Sequence, residues 1–294
     1  MNATSNGIQA RQHETANVAK LTAADRLYRE IKRLKLLQFL LAVVLPLLFA
    51  IVLLSYQGSN LLLLSIPNIL SILSIVLSVL CKPAIDEKNT LSADIKQDFD
   101  VSVYEMPWNE DLFGERRDLT GEIAEKSAGV ENSPYLREKD WYEKEADAMP
   151  ILDGIFACQR ENCSWDSAMR RRYRNLCAAG IGALIVTVVA VEIYKNESAA
   201  ALLAGFVFVS SAPTWLLNIV DSLNEDLKRL DKMKASFQST DTRTMKDLQK
   251  IQKAIYEHRK RAVVPPQFIY KMFKDSDEKT AKHMMKMGSG GDEK

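Results

Sequence analysis

The chain has 294 residues and a formal net charge of +1, with 47% hydrophobic and 26% charged side chains. These averages mix almost wholly apolar runs with densely charged segments, which excludes an ordinary soluble domain and an intrinsically disordered chain. Its four cysteines are too few and too scattered for a disulfide-stapled secreted protein.

Residues 1–35 form a charged N-terminal segment. Val18, Leu21, Ala24, Leu27, Ile31 and Leu34 recur three or four apart, which predicts one amphipathic helix. No Pro or Gly separates it from the apolar run 36–55, so the two read as one helical rod. The runs 36–55 and 61–80 contain no charge, and each has the roughly 20 residues that a helix needs to cross a bilayer core. Run 36–55 follows polar sequence and ends without a small-x-small site, so it reads as a span and not as a cleaved signal peptide. Tyr56 to Asn60 is a turn, and 36–80 is therefore a first transmembrane hairpin.

Residues 81–175 are too polar for lipid and form a middle domain. Phe99, Val101 and Val103 alternate with polar residues, which predicts a short strand or extended segment ended by Pro107-Trp108-Asn109. Leu119 to Ala128 reads as a helix, Pro134 to Tyr142 as a turn rich in aromatics, and Ile151 to Asn175 as one long helix leading into the next apolar run. The runs 176–194 and 199–220 form a second transmembrane hairpin, 176–220. Residues 221–287 are C-terminal helices. Leu223, Leu227, Leu230, Met233 and Phe237 mark a first apolar face, and Met245, Leu248, Ile251 and Ile255 a second, with helix-capping types between them at 239–244. Pro265-Pro266 ends that helix, Phe268 to Phe273 is a last short one, and 288–294 is a disordered tail. The fold class is thus an all-α membrane protein, with four transmembrane helices and a mainly helical cytoplasmic domain.

Orientation follows from basic flanks. Arg26, Arg29, Lys32, Arg33 and Lys35 precede the first span, Lys82 follows the second, Arg170, Arg171, Arg172 and Arg174 abut the third, and Lys228, Arg229, Lys232 and Lys234 follow the fourth. The hairpin turns hold only Lys195, so both termini and the middle domain face the cytoplasm. Residues 86–153 carry 19 acidic and 8 basic side chains, whereas 1–35 stand at +4 and 222–294 at +6, which favours docking of basic ends onto an acidic middle.

The sequence holds no Gly-rich phosphate loop, no H-E-x-x-H and no G-x-S-x-G. Asp98-x-Asp100 places two acids on one face of the expected strand, a weak acid/base pair. Cys158 and Cys163 have no second cysteine pair, and His13, His258 and His283 are scattered, so no metal ligands, cofactor or catalytic residues are assigned. The cysteines are expected to be reduced thiols.

Several short motifs carry a resemblance. They are Arg11-Gln12 with Arg26, Tyr28 and Lys32; Gln97-Asp98-Phe99-Asp100 followed by Pro107-Trp108-Asn109; Asp140-Trp141-Tyr142; Cys158 to Asp166 with Arg170 to Arg174; and Tyr256 to Arg261 before Pro265. Together they resemble the SMODS-associated four-transmembrane effectors, pore-formers of bacterial cyclic-oligonucleotide antiphage systems. His13 departs from the pattern, where Asn is expected. The resemblance implies a multi-pass protein of the bacterial inner membrane. It implies a homo-oligomer that permeabilises the bilayer when a cyclic oligonucleotide arrives from a partner nucleotidyltransferase, with no binding of nucleic-acid polymers. A membrane-anchored sensor or scaffold without conduction is the alternative. A transporter fits less well, because Glu192 and Asp221 lie at span ends and not at mid-membrane.

Arginine suits phosphates and aromatic rings suit bases, so Trp108, Asn109, Trp141, Arg160, Trp165, Arg259 and Arg261 are the ligand-binding candidates. Ser65, Asn68, Ser71, Ser74 and Ser78 form a polar stripe on the second span, read as pore-lining or as helix–helix contact. Ala178 with Gly182, Ala179 with Ala183 and Ala201 with Gly205 suit close packing of the third and fourth spans. Pro46, Pro67 and Pro213 are expected kinks.

Overall fold

The computed structural model describes residues 5–55, 61–129, 131, 140–195, 211–238 and 243–273. The two hairpin turns, most of 199–220, most of 134–142, the segment 239–242, the tail 288–294 and the side chains of Asn68 and Ser71 lie outside the described residues. All regular elements described are helical. In chain order they are α1 (Ile8–Gln12), α2 (Thr15–Phe39), a π-helical turn (Leu40–Val44), α3 (Leu45–Ser55), α4 (Leu61–Val103), α5 (Glu110–Phe113), α6 (Thr120–Lys126), a 3₁₀ turn (Lys144–Ala148), α7 (Ile151–Lys195), α8 (Ser211–Gln238) and α9 (Met245–Arg261). A short helix at 267–273 follows. The expected all-α class holds, with one correction: the strand at Phe99–Val103 is the last turn of α4.

The chain divides into two units. A polar unit comprises Met1–Ile31, Asp86–Arg170 and Asp226–Lys294; an apolar unit comprises Lys32–Ile85 and Arg171–Glu225. The chain passes from one to the other within α2, α4, α7 and α8.

In the polar unit the predicted face of α2 is buried at Val18, Leu21, Ala24, Leu27 and Ile31. On α8, Leu227, Leu230, Met233 and Phe237 are buried, and on α9, Leu248, Ile251 and Ile255. Phe99, Tyr104, Tyr142, Phe156 and Phe113 belong to the same core cluster. α4 ends in a Schellman turn: Met106 N–H donates to Val101 O at 3.0 Å and Glu105 N–H to Ser102 O at 3.3 Å. That turn puts the non-glycine Glu105 at φ 49°. The Thr244 side chain caps α9 by accepting from Asp247 N–H. At the other end of α9, buried Asn89 donates to the carbonyls of Arg259, Lys260 and Ala262 at 3.0–3.3 Å. It thereby satisfies carbonyls that the helix leaves open.

In the apolar unit, α4 turns aliphatic side chains outward and two serines inward. On α4, Ile69, Ile72, Leu73, Val76, Val79 and Leu80 are exposed, whereas Ser74 and Ser78 are buried. Gln38 Nε2 donates to Ser78 O at 3.1 Å. Phe39 packs on Trp215 at 5.2 Å beside Ala42, Val43 and Ala212. The π turn lies directly before Pro46, and Leu45 N–H reaches back to Leu40 O. Pro46 has no N–H and its ring crowds the carbonyl four residues back; widening the preceding turn relieves both. Gly180 approaches α8, at 3.7 Å from Leu216 Cδ1, while nothing described lies within 4 Å of a Cβ at Gly182. Among the described residues one helix is long and apolar enough to cross a membrane: Ile151–Val191 of α7, whose apolar stretch is almost wholly exposed.

Candidate functional site

Residues from four of the motifs quoted above, scattered along the sequence, meet around one carboxylate in the polar unit. Asp100 is 1% exposed. Its Oδ1 accepts from Tyr142 OH at 2.6 Å, and its Oδ2 accepts from Gln252 Nε2 at 2.8 Å and Arg259 Nη1 at 2.6 Å. The network continues as Gln252 Nε2 donates to Gln97 Oε1 and Gln159 Nε2 donates to Gln252 Oε1, at 2.9 and 3.0 Å. Asn162 Nδ2 donates to Tyr142 OH at 3.3 Å. Gln97, Gln159 and Gln252 are fully buried. Burial leads the effects that lift the Tyr142 hydroxyl well above its ordinary value, with Asp100 next, so it remains a proton donor.

A second carboxylate, Asp226, is also fully buried. It accepts from Arg170 Nε at 2.9 Å, Arg229 Nη2 at 2.6 Å and the backbone N–H of Val263 at 2.9 Å. Arg170 also pairs with Asp166, which lies 2.8 Å from His258 Nε2. That last contact has the geometry of an ion pair, but burial first and then Arg170 lower His258 to about 3. The ring is therefore neutral at cellular pH, and the contact is a hydrogen bond.

The ligand-binding candidates fall in different places. Arg259 is spent on Asp100. Asn109 caps α5 by accepting from Leu112 N–H, and its amide nitrogen reaches Gln249 Oε1 at 3.3 Å. Trp108 donates to Gly114 O, packs edge-on against Phe113 at 5.3 Å and lies under Arg116. Trp165 packs on Tyr270 at 5.8 Å. Trp141 stands against Phe99 and carries the Lys96 ammonium 4.3 Å above its ring. Arg160 is half-buried on α7, and Arg261 is exposed beside Glu257.

Asp98 and Asp100 are not an acid pair. Two residues apart on a helix, they point away from each other. Asp98 is held by Lys20 at 2.8 Å and Arg116 at 2.5 Å. Burial would raise its carboxyl, but Lys20 and Arg116 hold it below its usual value. Lys20, Asp98, Arg116, Arg117, Leu119 and Ile123 line a groove of about 640 Å³. The four cysteines are free thiols, and burial pushes Cys163 up to about 11. Among the described residues no three His, Cys, Asp or Glu side chains group to hold a metal ion.

Gln252, Asn89, Asp226 and Lys96 were not singled out from the sequence. Gln252 and Asn89 sit among other polar and charged residues, so no pattern marks them in the sequence.

The family described as SMODS-associating 4TM effector domain matches residues 6–287, nearly the whole chain. The chain belongs to the SMODS-associating 4TM effector domain family. No curated protein and no solved structure matches it. The family description names an effector associated with SMODS-type signalling. In this effector domain, Asp100, Tyr142, Gln159, Arg170, His258 and Arg259 are residues of the resemblance that belong to the Asp100 and Asp226 networks.

Proposed function

We propose that this effector domain acts on the bacterial inner membrane as a homo-oligomer that permeabilises it on binding a cyclic oligonucleotide. The observation that carries the reading is the exposed aliphatic surface of α4 over buried Ser74 and Ser78, in a chain of this family. Water penalises that arrangement and lipid rewards it. Four spans, 36–55, 61–80, 176–194 and 199–220, with both termini cytoplasmic, complete the topology. The protein needs no cofactor and performs no bond chemistry; ligand binding in the polar unit supplies the energy for a population shift. α7 is unbroken from Ile151 to Lys195 and so carries a displacement at Arg160 into the apolar run. Reconstituted vesicles loaded with a self-quenched dye test the reading. Release on adding cyclic di- or trinucleotides is expected, and no release with any of them overturns it. A non-conducting anchored sensor is the second reading, favoured by the burial of Ser74 and Ser78 within a single chain.

A further inference from the structure

Lys96 stands out among the charged residues of the polar unit. It is 9% exposed. Its Nζ lies 4.6 Å from the ring centroid of Tyr28 and 4.3 Å from that of Trp141. No carboxylate and no hydrogen-bond acceptor reaches it among the described residues. The nearest helical partner by register is Asp100, one turn on, but both oxygens of Asp100 are taken by Tyr142, Gln252 and Arg259. Asp94, on the same helix, is engaged by Tyr256 OH at 2.7 Å. A buried ammonium without a counterion is costly. Two aromatic faces offset part of that cost, and they leave its three N–H donors unspent.

The surroundings add to the demand for negative charge. One turn before Lys96, Ser92 is fully buried, with its hydroxyl beside that of Tyr28. Burial would raise the Tyr28 hydroxyl, but Lys96 first, then Arg259, Ser92 and Arg170, outweigh it and hold it below its ordinary value. The local field is therefore positive even though the segment 86–153 is strongly acidic overall.

We infer that Lys96, with Ser92 and Tyr28, forms an anion subsite of the polar unit that takes a phosphate group, with Trp141 as one wall. The inference rests on the proposed function only for the molecule that carries the phosphate. The ammonium supplies the charge, the Ser92 and Tyr28 hydroxyls supply directional donors, and the aromatic rings hold the ammonium in place between ligand events.

The test uses the full chain in detergent. Thermal unfolding is followed against inorganic phosphate, pyrophosphate and a cyclic dinucleotide, with chloride at matched ionic strength as control. Lys96→Met keeps the aliphatic stem and removes the charge. It is expected to unfold at a higher temperature than the parent without ligand and to lose the phosphate-induced rise. Lys96→Arg is expected to keep that rise. Ser92→Ala removes only a hydroxyl and is expected to weaken phosphate binding by about tenfold. The subsite is overturned if the parent is indifferent to phosphate, or if Lys96→Met responds to phosphate as the parent does. Dye release that persists in Lys96→Met overturns the subsite and leaves the proposed function standing. Phosphate binding lost in Lys96→Met, with no dye release from the parent, supports the subsite and overturns the proposed function.

Discussion

Arg259 Nη1 lies 2.6 Å from Asp100 Oδ2, across 159 positions of sequence, with side-chain exposures of 11% and 1%. The pair closes α9 onto α4 within the polar unit. Breaking a buried pair from one side leaves the other charge stranded, at a cost of about 3–5 kcal/mol. Arg261, two residues on, has an exposed side chain and meets Glu257 at 3.6 Å. Such surface pairs contribute about 0–1 kcal/mol. Arg259→Met is therefore expected to lower the urea midpoint strongly and Arg261→Met hardly at all. Equal effects would show that Asp100 finds water or another donor when Arg259 leaves.

How much of this was legible in the sequence depends on the environment of each element. The faces of α2 and α8 were legible because one side of each helix is buried and the 3.6 period survives. The cap at Thr244 and the continuity of α7 were legible for local reasons. The end of α4 was not. Ala93, Ile95, Lys96, Gln97, Phe99, Asp100, Val101 and Val103 are all buried, so α4 is covered on several sides there and no single stripe remains. Phe99, Val101 and Val103 then alternate by accident. Among the candidate ligand residues, Arg259 and Asn109 have the right chemistry but are engaged by Asp100 and by α5. Spacing along the chain does not encode a partner about 150 residues away.

Gly154 is the close-approach point of the N-terminal segment. A Cβ there would stand 2.5 Å from Asn6 Nδ2 and 2.6 Å from Ala146 O. Asn6 Nδ2 donates to Ala146 O and Met149 O at 2.7 and 3.0 Å, which ties residues 5–8 to the 3₁₀ turn. Backbone cannot yield as a flexible side-chain tip can. Gly154→Ala is expected to destabilise by about 1–3 kcal/mol despite the better helix propensity of Ala. Faster hydrogen exchange at Ile8 and Arg11 is its signature. A stabilised Gly154→Ala would mean that this docking is dispensable.

Glu161 gives a pH dependence of known sign. Burial, then the charges of Glu143 and Glu145, raise its carboxyl from 4.5 to about 8. Between those values the folded chain holds a proton that the unfolded chain has released. Its stabilising contribution is complete below pH 4.5 and is lost as pH rises toward 8. Glu161→Gln is isosteric and does not titrate. It is expected to exceed the parent in stability by about 2–4 kcal/mol near pH 8 and to match it near pH 4.5. Parallel stability curves across that range would show that the carboxyl is solvated.

His258 works in the opposite direction. Burial and Arg170 lower it from 6.5 to about 3, so the folded chain refuses a proton that the unfolded chain takes up. Stability is unaffected above pH 6.5 and falls as the pH drops from 6.5 toward 3. At about pH 5 the loss is about 2 kcal/mol. His258→Gln is expected to flatten that decline while leaving the neutral-pH midpoint within about 1 kcal/mol. An unchanged acid limb assigns the decline to the carboxylates of the two networks.

The serines of α4 decide between conduction and anchoring. Ser74 and Ser78 are 6% and 5% exposed, and Ser78 returns its own hydroxyl to Ile75 O at 2.7 Å. A side chain that faces protein in the resting chain reaches water only if the helices around it part. Conduction through this stripe therefore requires Ser74→Cys to be silent toward a charged thiol reagent at rest and reactive once a cyclic oligonucleotide is present. Because the native Cys81, Cys158, Cys163 and Cys177 are free, the reading needs a background in which they are replaced by Ser or Ala. The neighbour Ile72, exposed on the aliphatic side, supplies the control: Ile72→Cys should stay unreactive in both states if that face meets lipid. Reactivity at Ser74→Cys that does not change with ligand, together with dye release that does, would move the conduit away from α4.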